Sequence, residues 1–240
     1  MSATNDMEQQ QRQRWNTYAS NVDGLQSYES FLAQPGKRQI HALYRRQVRG
    51  KTILEVGCGA GHMITSLTQD DPGREITGLD LSAEMLKLAA ARGCRSLVCG
   101  SGNELPFAEN SFETVIAAAW VFRYLNPEQA LKEVWRVLRP GGDFMFDIPL
   151  LCGTALEACA EAVRTPWRWR RAFQRPRLDL NPLSAQIWTK RLRTSGFTVV
   201  RTVGILELPF LSQRLHWAPL IENRFLQHGC LTLFHHARKP

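Results

Sequence analysis

No apolar run in this 240-residue chain reaches the ~18–20 residues that a membrane span requires. The opening stretch MSATNDMEQQQRQRW has no apolar core of the kind a secretory leader carries. The six cysteines, at positions 58, 94, 99, 152, 159 and 230, form no CxxC pair and no zinc-ligand spacing. They read as free thiols in a reducing compartment, so the expectation is a cytoplasmic protein. Residues 235 and 236 are both histidine but have no carboxylate at metal-ligand spacing, and no metal is expected. There is no internal repeat and no long low-complexity segment. A hydrophobic content of 44% suits one ordinary domain.

What is present is unevenly spread. Residues 1–120 hold 12 Lys/Arg against 13 Asp/Glu, and residues 121–240 hold 18 against 9. The net charge of +8 therefore belongs to the second half, which implies a basic local surface.

Residues 5–48 read as a helical extension, with Phe31, Leu32, Ile40, Leu43 and Tyr44 set between polar residues. From residue 51 strands and helices alternate. KTILEV, REITGLDL, CRSLVC, FETVIAAAW and DFMFDIPL read as strands. GHMITSLTQ and SAEMLKLAAARG read as helices, the latter with Ser82 as N-cap and Gly93 just beyond its end. PEQALKEVWRVL is a third helix, with Pro127 in its first turn and a stripe of Leu131, Val134, Trp135 and Leu138, stopped by RPGG. Past residue 150 the rhythm breaks. A helix is expected from NPLSAQIWTKRLRTSG, with Asn181 as cap, Pro182 at its first position and Gly196 beyond its end. Two last strands, FTVVRTVGIL and CLTLFHHAR, are expected to pair antiparallel at one sheet end. The fold class is α/β: a three-layer, Rossmann-like, mostly parallel sheet with an antiparallel C-terminal strand. In domain terms, residues 1–48 extend one domain spanning 49–240, which carries a lid insertion at about 150–181.

The first strand runs into Gly57, Cys58, Gly59, Ala60 and Gly61. Glycines at a strand end permit close approach of a ligand to the main chain. A dinucleotide loop wants GxGxxG, but His62 stands at the last position, which disfavours NAD. A nucleoside with an amino-acid tail needs the close approach without a pyrophosphate to seat. Asp80 ends the second strand, 23 residues after Gly57, where a carboxylate can accept hydrogen bonds from two ribose hydroxyls.

The segments ILEVGCGAGH, GLDLSAEML, GNELPFAENSFETV and EVWRVLRPGGDFMFDIP occur in this order over residues 51–149. In them the chain resembles class I S-adenosylmethionine-dependent methyltransferases, especially the group containing quinone-biosynthesis C-methyltransferases and carrier-protein O-methyltransferases. The resemblance implies S-adenosyl-L-methionine as cofactor. It implies that Gly57, Gly59 and Gly61 pass the methionine portion with Glu55 nearby, that Asp80 holds the ribose, and that Leu81 and Met85 flank the adenine. Cys58, Gly102, Asn103 and Ala118 join the cofactor set. In one respect the chain departs from the family, which commonly has an acidic residue after the third strand. Here Ser101 stands there, with Asn103 nearby, and a neutral partner binds an amino group more weakly.

The reaction implied is methyl transfer to a small organic acceptor, whose reacting atom stays open among oxygen, nitrogen, carbon and sulfur. Candidate participants are Tyr124 and Arg123, after the fourth strand, and Tyr18 in the N-terminal segment. Tyr124 would orient or deprotonate an acceptor, and Arg123 would grip an anion. His62 reads as a helix-start residue. The stretch RTPWRWRRAFQRPR, residues 164–177, holds six arginines with Trp167, Trp169 and Phe173. Four readings stay open: a lid gripping an anionic or aromatic substrate, a surface for acidic lipid or a carrier protein, a groove tracking nucleic acid, or a solvated helix. Nucleic acid is the least favoured partner. RNA methylation or binding, and a catalytically silent cofactor-binding subunit, are the rival functions.

Overall fold

The computed structural model describes residues 3–149, 185–205, 220–221 and 232–240. The lid expected at 150–181, the arginine–tryptophan stretch 164–177, the cap at Asn181 with Pro182, and Cys152, Cys159, His216, His228 and Cys230 all lie outside the described residues.

The N-terminal extension is three helices rather than a continuous run: α1 (Ala3–Ser20), α2 (Val22–Leu32) and α3 (Pro35–Gln47). The break before α2 is made by Asn21, whose side chain accepts from the Asp23 N–H at 2.9 Å. Pro35 opens α3 at a position where its missing N–H removes no helical bond. Ile40, Leu43 and Tyr44 then form the buried face of α3.

The alternating region gives β1 (Thr52–Val56), α4 (His62–Asp70), β2 (Glu75–Asp80), α5 (Ala83–Ala91), β3 (Ser96–Cys99) and β4 (Phe112–Ala117). A short 3-10 turn (Val121–Arg123), α6 (Pro127–Val137) and β5 (Leu138–Pro149) follow. The last described elements are α7 (Ala185–Thr194), β6 (Thr198–Ile205), the two-residue β7 (Leu220–Ile221) and β8 (Thr232–Arg238). The sheet order is β3-β2-β1-β4-β5-β8-β6-β7. β1 to β5 pair in parallel, while β8 runs antiparallel to both β5 and β6. The expected antiparallel end is thus present, with β8 inserted between its neighbours.

Ser82 caps α5 by accepting the Met85 N–H at 3.1 Å, and Gly93 follows at a φ of +91°. α6 ends at Val137, ahead of the RPGG stretch expected to stop it: Leu138 is already extended, and RPGG lies inside β5. The strand thus starts sooner than expected. Leu138 already pairs with Phe112, and the register then shifts so that Asp143 pairs with Thr114. Leu138 is therefore a buried strand residue, and the buried face of α6 is Ala130, Leu131, Val134 and Val137. Alternation along β5 sends Phe144, Phe146 and Ile148 to the core beneath α6 and α7, and Met145 to the core beneath α3 and α4. These two cores fix the sheet and leave the carboxyl ends of the parallel strands as the place where a crevice forms.

Candidate functional site

At the end of β1 the backbone folds back on itself. The Gly57 and Cys58 N–H groups both donate to the Leu79 carbonyl, at 2.6 and 3.0 Å. Gly57, Gly59 and Gly61 have φ of +70°, +52° and +79°, values that L side chains rarely adopt. Space also demands glycine: a Cβ on Gly57 would strike a Val121 methyl, and one on Gly59 would meet the Tyr28 hydroxyl. Gly61 faces backward, toward Cys94 Sγ and Ala89.

One strand over, Asp80 clasps this loop. Its Oδ2 accepts from the Gly59 N–H and its Oδ1 from the Ser82 N–H, each at 2.8 Å. The carboxylate is buried, which raises its pKa, while the N–H groups of Ser82, Gly59 and Leu81 pull the other way.

Two clefts flank the loop and share Tyr28, Gly57 and Ala119 on their walls. The first receives Gly59 and Asp80 from the β1 and β2 ends, with Leu81 and Met85 beside them. Ser101 and Gly102 after β3, and Tyr124 after β4, complete that wall. The second cleft, of about 390 Å³, receives Glu55, Cys58 and Ala118. It is faced by Lys37, Arg38 and His41 of α3. Eleven of the fifteen residues expected in the site thus line one cleft or the other.

Four do not. Gly61 turns away as described. Asn103 is buried behind the wall, its Oδ1 accepting from the Asn126 N–H at 2.8 Å. Tyr18 packs on Trp15, ring centroids 5.5 Å apart, against the small cluster of Ala19, Ala60 and Met85 rather than on a cleft wall. Arg123 lays its guanidinium over the rings of Trp120 and Tyr124, at 5.6 and 5.1 Å.

The sequence did not reveal Glu8, Gln11 and Trp15 of α1, nor Tyr28 of α2, all of which line the first cleft. Positions 8, 11 and 15 share one helical face, and that spacing was the available signal. Tyr28 sits over the loop, and burial with the charges of Glu55 and Asp80 holds its phenol protonated. His62 does start α4, and its Nε2 lies 2.9 Å from Glu29 Oε1. Burial, then Arg92, lowers its pKa.

Three features mark strain or unmet demand at the clefts. Ala119 and Trp120, just past β4, adopt φ of +59° and +66°, a conformation that costs about 1–3 kcal/mol per residue. Asp147 holds that turn by accepting the Ala119 N–H at 2.8 Å. Glu55 is 3% exposed, and its Oε2 has no hydrogen-bond partner among the described residues. Burial, then the Asp80 charge, pushes its carboxyl well above the usual range. Gln11 Oε1 is likewise buried without a partner. A ligand bringing hydrogen-bond donors would satisfy both atoms, so the residues present fit a nucleoside with an amino-acid tail. Among the described residues no group of three or more His, Cys, Asp or Glu could hold a metal, and no helix is long and apolar enough to cross a membrane.

Residues 54–146 match the family model described as a methyltransferase domain. The demethylmenaquinone methyltransferase of Chlorobaculum parvum is 38% identical over 102 residues, covering 41% of this chain and 42% of that protein. The malonyl-[acyl-carrier protein] O-methyltransferase of Priestia megaterium is 29% identical over 139 residues, covering 56% and 49%. The chain spans about half the length of the curated relatives it matches. An S-adenosylmethionine-dependent methyltransferase structure from Thermotoga maritima superposes with a TM-score of 0.65 at 20% identity, covering 90% of this chain and 96% of the other. The fold is that of this class of enzyme.

Proposed function

We propose, from the match of residues 54–146 to the family model described as a methyltransferase domain, that the chain transfers a methyl group from S-adenosylmethionine to a small organic acceptor. The observation that carries this reading is the bare-backbone loop at Gly57 and Gly59 clasped by the buried Asp80, with a cleft on either side.

The cofactor, when bound, supplies a methyl group already activated on a sulfonium. The chain's part is to align the acceptor and keep water out. Asp80 would accept the ribose hydroxyls, with Leu81 and Met85 against the ring and Ser101 and Gly102 at its edge. The backbone N–H groups around Asp80 do not exhaust the four acceptor sites of its two oxygens. Glu55 would face the ammonium of the amino-acid tail across Cys58 and Ala118, and Lys37 its carboxylate. Tyr124 is the residue proposed to orient or deprotonate the acceptor, with Arg123 positioning its ring and Tyr18 bracing Trp15. Arg38 and His41 in the second cleft favour an anionic or aromatic acceptor. Similarity to methyltransferases named for demethylmenaquinone and for malonyl-[acyl-carrier protein] supports a small organic or carrier-borne one. In this reading residues 1–48 belong to the same domain as 49–240, because they wall the cleft.

Calorimetric titration with S-adenosylhomocysteine tests the reading. Saturable heat below about 1 mM is expected, and its absence overturns the proposal. Asp80→Asn keeps the size of the side chain but loses the charge. It is expected to weaken binding roughly 10–100-fold, from the loss of charge-assisted bonds. Unchanged affinity in the folded variant removes the ribose assignment.

A further inference from the structure

Ser101 stands where an acidic side chain would be expected after β3, yet the structure does not leave that place without a carboxylate. Glu8 reaches it from α1. Its Oε1 accepts from the Ser101 hydroxyl at 2.5 Å and from Asn103 Nδ2 at 2.7 Å. Both donors are neutral, and among the described residues Glu8 forms no ion pair and no donor reaches its Oε2. Glu8 is half-buried and lines the first cleft. Among the described residues no Lys or Arg lines that wall. A carboxylate held this way keeps most of its appetite for an N–H donor.

The rest of the rim points the same way. Gln11, one turn along α1, is 8% exposed and its Oε1 is buried with no partner among the described residues. The walls between Glu8 and Asp80 are apolar: Leu79, Leu81, Met85 and Leu125. Asp80 pairs with Cys99 in the β2–β3 register, so residue 101 lies just past the strand next to the one that ends in Asp80. The cleft is therefore a slot with a carboxylate that can accept from hydroxyls at one end and, at the other, a rim that presents the Glu8 carboxylate and the Gln11 amide oxygen. A flat heteroaromatic base with an exocyclic amino group, carried on a ribose, matches that pattern. α1 is tied down at this point by a second bond, from the Ser82 hydroxyl to Asn16 Oδ1 at 2.7 Å.

We propose that Glu8 is the specificity-determining residue for the base: the N-terminal helix supplies the carboxylate that accepts from the exocyclic amino group of adenine. This rests on the cofactor reading above. The Ser101 hydroxyl, already donated to Glu8, acts as the bracket that aims it. Selection follows because a 6-oxo base would present a lone pair to a carboxylate, leaving a buried polar group unpaired.

The test is calorimetric titration of the full chain with S-adenosylhomocysteine and with S-inosylhomocysteine, whose base carries an oxo group in place of the amino group. The wild type is expected to prefer the adenosyl ligand by about tenfold or more. In Glu8→Gln, which keeps the shape and an acceptor oxygen for Ser101, that preference is expected to fall to within about threefold, since an amide can donate to the oxo group. The double variant Glu8→Ala/Ser101→Asp, growing the carboxylate from the β3 side, is expected to restore it. A preference unchanged in Glu8→Gln overturns the proposal. So does an equal loss of affinity for both ligands, which would make Glu8 a mere tether of α1. If the wild type binds neither ligand, the methyl-donor reading falls first and this one with it. If the wild type binds both equally, only the role of Glu8 falls.

Discussion

Glu55 is the residue whose chemistry is most exposed to measurement. Its carboxyl is buried, lacks a partner at Oε2 among the described residues and feels the charge of Asp80, so its pKa stands well above the ordinary 4.5. An ammonium brought into the second cleft would reverse that preference and draw the proton off. Titration of S-adenosylhomocysteine in the mildly acidic range, below the raised value of Glu55, is therefore expected to release protons, seen as a dependence of the apparent enthalpy on the ionisation enthalpy of the buffer. Glu55→Gln should abolish the dependence. A buffer-independent enthalpy in the wild type would remove Glu55 from the tail of the cofactor. Linkage gives a second readout of opposite sign to the usual acid limb. A carboxyl whose folded pKa lies above its unfolded one contributes its stability fully below the unfolded value of 4.5 and loses it as pH rises through the raised one. Glu55→Gln should accordingly melt no lower than the wild type, and the gap in its favour should widen toward alkaline pH.

At the scale of elements, the tie that matters runs from α3 to the tip of β4. Lys37 Nζ lies 3.3 Å from Asp147 Oδ2 on β5, and Tyr44 donates its hydroxyl to Asp147 Oδ1 at 2.9 Å. The same Asp147 holds the strained turn at Ala119, and Lys37 also sits 3.7 Å from the centre of the Trp120 ring. Removing the ammonium alone leaves Asp147, which is 0% exposed, without its cation. Lys37→Met is expected to cost about 3 kcal/mol in urea unfolding, and Lys37→Met/Asp147→Asn to recover much of it. A single variant as stable as the wild type would mean that this pair does not anchor α3. None of this could be read from the sequence, because Lys37 and Asp147 are 110 positions apart and no periodicity links them. What could be read was local. The alternation of strands and helices, the Ser82 cap and the glycine loop each follow from neighbouring residues. The Asn21 break could have been read, since Asn followed by Val-Asp is an N-cap pattern, but the polar run on either side masked it. The contribution of α1 to the first cleft could not, because a polar helix face gives the same pattern whether it meets water or a ligand.

The whole molecule divides at β5 into a parallel half that builds the clefts and an antiparallel half that closes the sheet. β8 locks the second half to the first. Asp143 on β5 accepts from His236 Nε2 and Arg238 Nε, both at 2.9 Å. Burial alone would raise its pKa, but these two partners hold it below the usual 3.8. His235, on the same strand, is 0% exposed and stacks on Phe146 with ring centroids 5.0 Å apart. Burial drives its imidazole down to about 3 from 6.5. Both shifts have the same sign: each group stabilises above its unfolded pKa and loses that contribution as pH falls toward the folded one. For His235 the window runs from 6.5 down to about 3, and for Asp143 it opens only below 3.8. Between pH 6 and pH 4, His235 is thus the dominant of the two, and each unit of pH there costs about 1.4 kcal/mol. His235→Phe keeps the ring against Phe146 and removes the titrating group, at the loss of a 3.1 Å bond to Thr202 and of a buried Nε2 that has no partner among the described residues. Near pH 7 it is expected to fall within about 1 kcal/mol of the wild type. At pH 4 it should be the more stable protein, with a visibly flatter dependence of the urea midpoint on pH. If wild type and variant instead lose stability in parallel from pH 6 to pH 4, the acid sensitivity resides elsewhere and β8 is not the element that gives way first.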